Sequence, residues 1–282
     1  MTPGLGNALV AMLCFGATDL LFKRTVANGN QPRHFIMMQA WVFCPSITLY
    51  AWLTGTLDVH ASALWGACAG LASFIALYNF ARSLQCGAVS TNAPIFRLNF
   101  TVTVVLAVLL LSETLNVVKI GALVCAFGAV WLLLAEPGTL REKTDWGSLT
   151  RVLVATLAMG LANLFYKLGL HYGSTPETIM AAQAWLFCPL ATAFSWRQDG
   201  RLHAPFAAFP YAAATATALM IGFIVLLHGL AVGAASVLVP VAQMGFVFTA
   251  LLGAVLFKEM LTTRKKAGLL IAAAALALFA VG

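Results

Sequence analysis

Charge is what this chain has least of. Only 9% of its 282 residues are Asp, Glu, Lys or Arg, against about 25% in a soluble globular domain. So few charges cannot cover a water-exposed surface, and a soluble fold is excluded. No basic stretch precedes the first apolar run, "MTPGLGNALVAML", and the hydrophobicity does not stop after it. That run therefore reads as a retained membrane span rather than a cleaved signal. CxxC pairs are missing too. The six cysteines, Cys14, Cys44, Cys68, Cys86, Cys125 and Cys188, lie inside or at the ends of apolar runs, where thiols behave as small hydrophobes rather than metal or redox ligands. There is no HExxH, no GxSxG, no phosphate loop and no His/Asp cluster among the five scattered histidines, so no enzyme and no cofactor is expected. The net charge of +7 is spread over connections rather than gathered with aromatics, which suits lipid headgroups and not nucleic acid.

What is present is apolar sequence: 61% hydrophobic residues and a mean hydropathy of +0.92. A span needs roughly 20 such residues. Breaks in the sequence divide the chain into ten pieces, near 5–26, 34–55, 62–84, 88–111, 116–135, 148–170, 178–196, 206–229, 234–257 and 265–282. Inside hydrocarbon only helices or closed barrels satisfy the backbone, and continuous apolar runs of this length exclude alternating barrel strands. The expected fold is an all-α integral membrane bundle of ten transmembrane helices.

The chain also writes itself twice. "QAWVFCP" at 39–45 returns as "QAWLFCP" at 183–189, an offset of 144 that extends back to pair Gly16 with Gly160, Lys23 with Lys167 and Pro32 with Pro176. Further along, at an offset of 146, Pro94 pairs with Pro240 and Glu113 with Glu259. The expected organisation is a first five-helix repeat over 1–136, a connection over 137–147 and a second repeat over 148–282. Five is odd, so the second copy must enter the membrane upside down. Inverted repeats of this kind place a substrate site near the midplane of secondary transporters, between exchangeable gates.

The paired "FGATDLLFK" (15–23) and "MGLANLFYK" (159–167), with a proline some 19 residues before "SETL" (112–115) and "KEML" (258–261), resemble the EamA-like transporters of the drug/metabolite transporter superfamily. Phe15-Gly16 and Met159-Gly160 stand where that family usually has Trp-Gly, and Glu113-Thr114-Leu115 and Glu259-Met260-Leu261 where Glu-Arg-Leu is common. The resemblance covers essentially the whole chain. It implies ten helices and secondary transport, often export, of small metabolites, amino acids or drugs.

Ionisable groups within spans are costly and mark function. Arg97 lies near the middle of the fourth span, too deep to snorkel, and at helical spacing shares a face with Ser90, Pro94 and Thr101. It is the leading substrate or coupling residue, with a structural ion pair as the alternative. Its repeat partner is Gln243, and Asn99 follows on a neighbouring face. Asp19, whose repeat mate is Asn163, is expected either to pair with Lys23 one turn on or to exchange a proton as Arg97 or substrate approaches. Asn79 and Arg82 share a face of the third span, and Arg82 aligns with His228. Gln39 with Trp41 and Gln183 with Trp185 offer hydrogen bonding and stacking to a planar substrate, or else a packed interface. Tyr78 and Tyr166 carry the same ambiguity, and Lys23 and Lys167 add positive charge at the entrances. Glu113 and Glu259 are expected to cap the helices that follow them.

The reading that follows is secondary transport, in the direction of export, of a small organic anion or zwitterionic metabolite such as an amino acid, around a midplane cavity. The alternative is a proton-coupled exporter of lipophilic cations using Asp19. The partners are a small-molecule substrate and the bilayer, with protons as a candidate coupling ion and monomer and homodimer both open. The expected location is a bacterial inner membrane. Basic residues concentrate in the odd connections, which puts both termini outside the cytoplasm by the positive-inside rule; the family resemblance implies the reverse.

Overall fold

The computed structural model describes residues 2–27, 29–86, 89–134, 146–256 and 262–281, and the side chains of 23, 26–27, 85–86, 89–91, 134 and 253–256 lie outside that description. Among the described residues the chain is helical, without strands. The helices are α1 (Leu5–Ala27), α2 (Pro32–Leu53), α3 (Leu64–Cys86), α4 (Val89–Arg97), α5 (Asn99–Leu111) and α6 (Val117–Leu134). After them come α7 (Trp146–His171), α8 (Pro176–Asp199), α9 (Phe209–Val232), α10 (Ala235–Gln243), α11 (Gly245–Leu256) and α12 (Thr263–Val281). Eight stretches among them are long and apolar enough to cross a membrane, and Val117–Leu133 is a shorter apolar helix. α12 opens on Arg264, Lys265 and Lys266, which keeps it out of that set.

The expected fourth and ninth spans are not single helices. Each breaks, at Leu98 and at Met244, residues related by the offset of 146. The two breaks have the same shape: φ −72°, ψ 4° at Leu98 and φ −76°, ψ 13° at Met244. Their hydrogen bonds match as well. Leu98 N donates to Ile95 O and Thr101 N to Leu98 O, while Met244 N donates to Val241 O and Val247 N to Met244 O. Pro94 and Pro240, one turn earlier, cannot donate to the preceding turn and crowd its carbonyl, so each helix is already weakened in the turn before its break.

Glycines decide how closely the helices approach. A Cβ on Gly16 would stand 2.5 Å from Gly245 O, and one on Gly160 would stand 2.5 Å from the Val102 Cβ. Thr249 Oγ1 donates to Gly16 O at 2.9 Å, and Thr103 Oγ1 donates to Gly160 O at 3.3 Å. These contacts are repeat-related, and both cross from one repeat to the other. α1 packs on α9, α10 and α11, whereas α7 packs on α3, α4 and α5. The sequence repeats are therefore interlocked: each sends its first helix into the other's later helices. α2 completes one group through α9, and α8 completes the other through α3.

The two groups meet along α2 and α8. Trp41 Nε1 donates to Thr192 Oγ1 at 2.8 Å, and Trp185 Nε1 donates to Thr48 Oγ1 at 3.0 Å. Arg33 meets Asp199 at one end and Thr178 Oγ1 donates to Thr56 O at the other. As one residue number rises its partner's falls, so the helices run antiparallel along a common seam.

Candidate functional site

Asp19 lies on the inward face of α1, between Phe15 one turn before and Phe22 one turn after. Phe15 meets the Phe223 ring at 5.0 Å, and Phe22 meets Phe35 edge-on at 5.3 Å. Despite these aromatic neighbours, the Asp19 side chain keeps 33% of its surface and that of Arg97 keeps 20%. Arg97 Nη2 donates to Asp19 Oδ2. Arg97 is the last residue of α4, immediately before the break. The pair therefore joins a half-helix end in one packing group to α1 in the other, at mid-span. Half-helix ends leave backbone donors and acceptors free at that depth.

Of the partners considered for Asp19, Arg97 reaches it across the bundle, at the break. The side chain of Lys23 lies outside the described residues, as do those of Ser90 and Cys86 and the whole of Glu259. Gln243, the repeat mate of Arg97, is half-buried at the end of α10.

Other sequence-selected residues form separate networks. Asn163 Nδ2 donates to Asn99 Oδ1 at 3.3 Å and to Thr103 Oγ1 at 3.2 Å, with both asparagines buried. Tyr166 OH donates to Gln183 Oε1 at 2.7 Å and stands 3.4 Å from Ser73 Oγ. Its ring lies 5.9 Å from Phe223, which connects this network to the aromatic wall beside Asp19. Trp41 and Trp185 join the seam, and Gln39 is half-buried on α2. Asn79 Nδ2 turns back to Ile75 O, Tyr78 packs against Phe74 and Phe194, and Arg82 is half-buried on the same helix. A recess of about 780 Å³ runs beside the seam, lined by Cys44, Trp185, Cys188 and Trp196 among others; Arg97 is not part of its lining.

Two charged residues act on a helix junction. Lys167 Nζ donates to Leu230 O at 2.5 Å and to Gly233 O at 2.7 Å, at the C-terminal end of α9. Glu113 accepts from Ala235 N and Ser236 N, both at 2.8 Å, at the start of α10. The cation sits at a helix C-terminus and the anion at an N-terminus, each matched to the local dipole. Glu113 therefore caps a helix of the other repeat rather than α6, which follows it in sequence. Close packing of α5 on α10 brings that N-terminus nearer.

Sequence reasoning passed over Glu177, Asp199 and His34. Glu177 is buried at 5% exposure and its Oε1 lies 2.9 Å from His228 Nε2. It is an acidic residue in the first turn of α8, a position where local sequence signals no more than a match to the helix dipole. Asp199 and His34 sit at helix ends, where charges are unremarkable until their partners are known.

Among curated proteins nothing matches the chain. Solved structures do: one crystal structure of a protein superposes with a TM-score of 0.83 at 14% identity, covering 99% of this chain and 96% of the other. That likeness shows the fold. The sequence profile described as the EamA-like transporter family matches twice, over residues 2–135 and again over 146–281. With both repeats matched across nearly the full length, this chain belongs to the EamA-like transporter family of membrane transporters, in the drug/metabolite transporter superfamily.

Proposed function

We propose that this chain is a secondary transporter, working in export, of a small zwitterionic metabolite such as an amino acid. The observation that carries the proposal is the Asp19–Arg97 pair: one fixed anion and one fixed cation, partly exposed, joining two packing groups beside a helix break. A zwitterion brings its own ammonium and carboxylate. It can exchange one internal ion pair for two external ones, so neither fixed charge is left unpaired at mid-span. A plain anion would satisfy Arg97 and strand Asp19.

In this reading ten spans form two inverted repeats, 1–136 and 148–282, joined by 137–147, in a bacterial inner membrane. The bodies that rock are the packing groups, α1, α2 and α9–α11 against α3–α5, α7 and α8, rather than the sequence repeats. Tyr166, Gln183, Asn163, Asn99, Gln243, Asn79, Arg82, Tyr78, Gln39, Trp41, Trp185 and His228 supply the polar and aromatic surroundings or their support. Lys167, with Lys23 as its repeat mate, supplies charge near the ends.

A second reading has one observation in its favour. Asp19 is more exposed than Arg97, which suits a proton-coupled exporter whose carboxylate receives a lipophilic cation. Counterflow in proteoliposomes separates the two. The zwitterion reading expects neutral amino acids to exchange and both Asp19→Asn and Arg97→Gln to stop them. Transport of a lipophilic cation with no response to amino acids would overturn it.

A further inference from the structure

The α2–α8 seam ends differently at its two extremities. At the end carrying the start of α2 and the last turn of α8, three donors converge on one carboxylate. Arg33 Nη2 donates to Asp199 Oδ1 at 2.6 Å and Arg33 Nε to Asp199 Oδ2 at 3.0 Å, while His34 Nε2 lies 2.7 Å from the same Oδ2. The His203 ring closes on His34 at 4.9 Å, edge to face. These side chains are largely withdrawn from solvent, at 28% for Arg33, 17% for Asp199 and 8% for His34. Gly200, with φ +66°, turns the chain away immediately after Asp199 and leaves its carboxylate at the very end of α8.

The repeat relation does not reproduce this cluster. At an offset of 144, Arg33 corresponds to Glu177, His34 to Thr178 and Asp199 to Gly55. At that opposite end the seam is tied by neutral groups: Thr178 Oγ1 and Thr175 Oγ1 donate to Thr56 O, and Asp58 N donates to Thr178 Oγ1. The charged ties there, Glu177 to His228 and Lys167 with Glu113 at the α9–α10 junction, lie off the seam.

We propose that Arg33, His34 and Asp199 form a latch across the seam, holding α2 and α8 together at that end so that the transport path opens on that side only when the carboxylate is released. A transporter made of two like halves acquires unlike faces through a charged tie on the seam at one end where, among the described residues, the other end has neutral ones. The inference rests on the alternating-access part of the proposed function and not on the substrate class.

The test reads exposure directly and needs no substrate. Ser195 is fully buried one turn before Asp199 and follows Thr192 along α8 on the side that meets α2. Ser195→Cys, a nearly isosteric change in a chain whose native cysteines have been replaced, is reacted with a membrane-impermeant maleimide in proteoliposomes. Asp199→Asn is expected to speed labelling roughly tenfold, the effect of losing charge-assisted bonds. Raising the salt concentration is expected to speed it in the parent but not in Asp199→Asn, because the cluster is partly open to screening. Exchanging the charges, Arg33→Asp with Asp199→Arg, should return part of the slow rate, since His34 then faces a guanidinium instead of its acceptor, and Thr178→Val at the other end should not speed it. Equal rates in parent and Asp199→Asn would overturn the latch. Were Asp199→Asn to unfold, a parent rate indifferent to salt, or a folded Arg33→Gln variant labelling as slowly as the parent, would overturn it equally. Failure of amino acids to exchange in counterflow would sink the substrate reading and leave these labelling results standing.

Discussion

The Asp19–Arg97 pair can be dissected by a double-mutant cycle. Removing one partner of a fully buried pair costs about 3–5 kcal/mol, and exposed pairs contribute about 1 kcal/mol or less. With one-third of Asp19 and one-fifth of Arg97 exposed, each single change should fall between these limits, at about 2 kcal/mol for Asp19→Asn or Arg97→Gln. Neutralising both removes the attraction and also the stranded charge, so the double variant should lose about 2 kcal/mol rather than 4, a coupling of about 2 kcal/mol. In thermal unfolding in detergent, at about 2–4 °C per kcal/mol for a chain of this size, each single variant should melt about 6 °C below the parent and the double variant no lower. If the zwitterion divides the pair, saturating substrate should raise the parent Tm, by an amount that grows with concentration over Kd, and leave all three variants unmoved. Additive losses, with the double variant about 12 °C below the parent, would refute the account of a pair holding two packing groups together.

Close helix approach makes a second contrast. A Cβ at Gly66 would sit 2.4 Å from Ile179 O, whereas one at Gly6 meets nothing within 4 Å. Gly66→Ala should therefore cost about 1–3 kcal/mol and Gly6→Ala should be neutral or stabilising by up to about 1 kcal/mol, read as opposite Tm shifts. Glu113→Gln should cost about 1 kcal/mol by weakening the α10 cap. Hydrogen exchange should show faster opening at Ala235 and Ser236 with α6 unchanged. Trp41→Phe and Trp185→Phe each delete one indole donor and should cost about 1 kcal/mol apiece. Their repeat-related partners predict nearly equal Tm losses, and a large loss from one alone would contradict the paired seam.

Much of this was legible in the residue string because a bilayer imposes a strong filter. Apolar length reports helices directly, and the recurrence of "QAW" and of the prolines exposed the duplication. Arg97 and Asp19 stood out because mid-span charge is rare. The breaks at Leu98 and Met244 were only half legible: Pro94 and Pro240 mark a weakened turn, but a proline can also kink a helix that continues. Glu113 was read as a capping group and assigned to the helix after it, because local order was the only guide to which N-terminus lay within reach.

Membership of a helical transporter fold, the doubling of the chain and the residues able to carry charge at mid-depth were determined by sequence alone, since each depends on solvation cost or self-similarity. Which charges meet was decided by tertiary structure. Interlocking sends α1 among α9–α11 and α7 among α3–α5, and Asp19 meets Arg97 across the two packing groups. Contacts between residues 78 or 166 positions apart follow from how glycine-lined helices close on one another, and no local pattern encodes that.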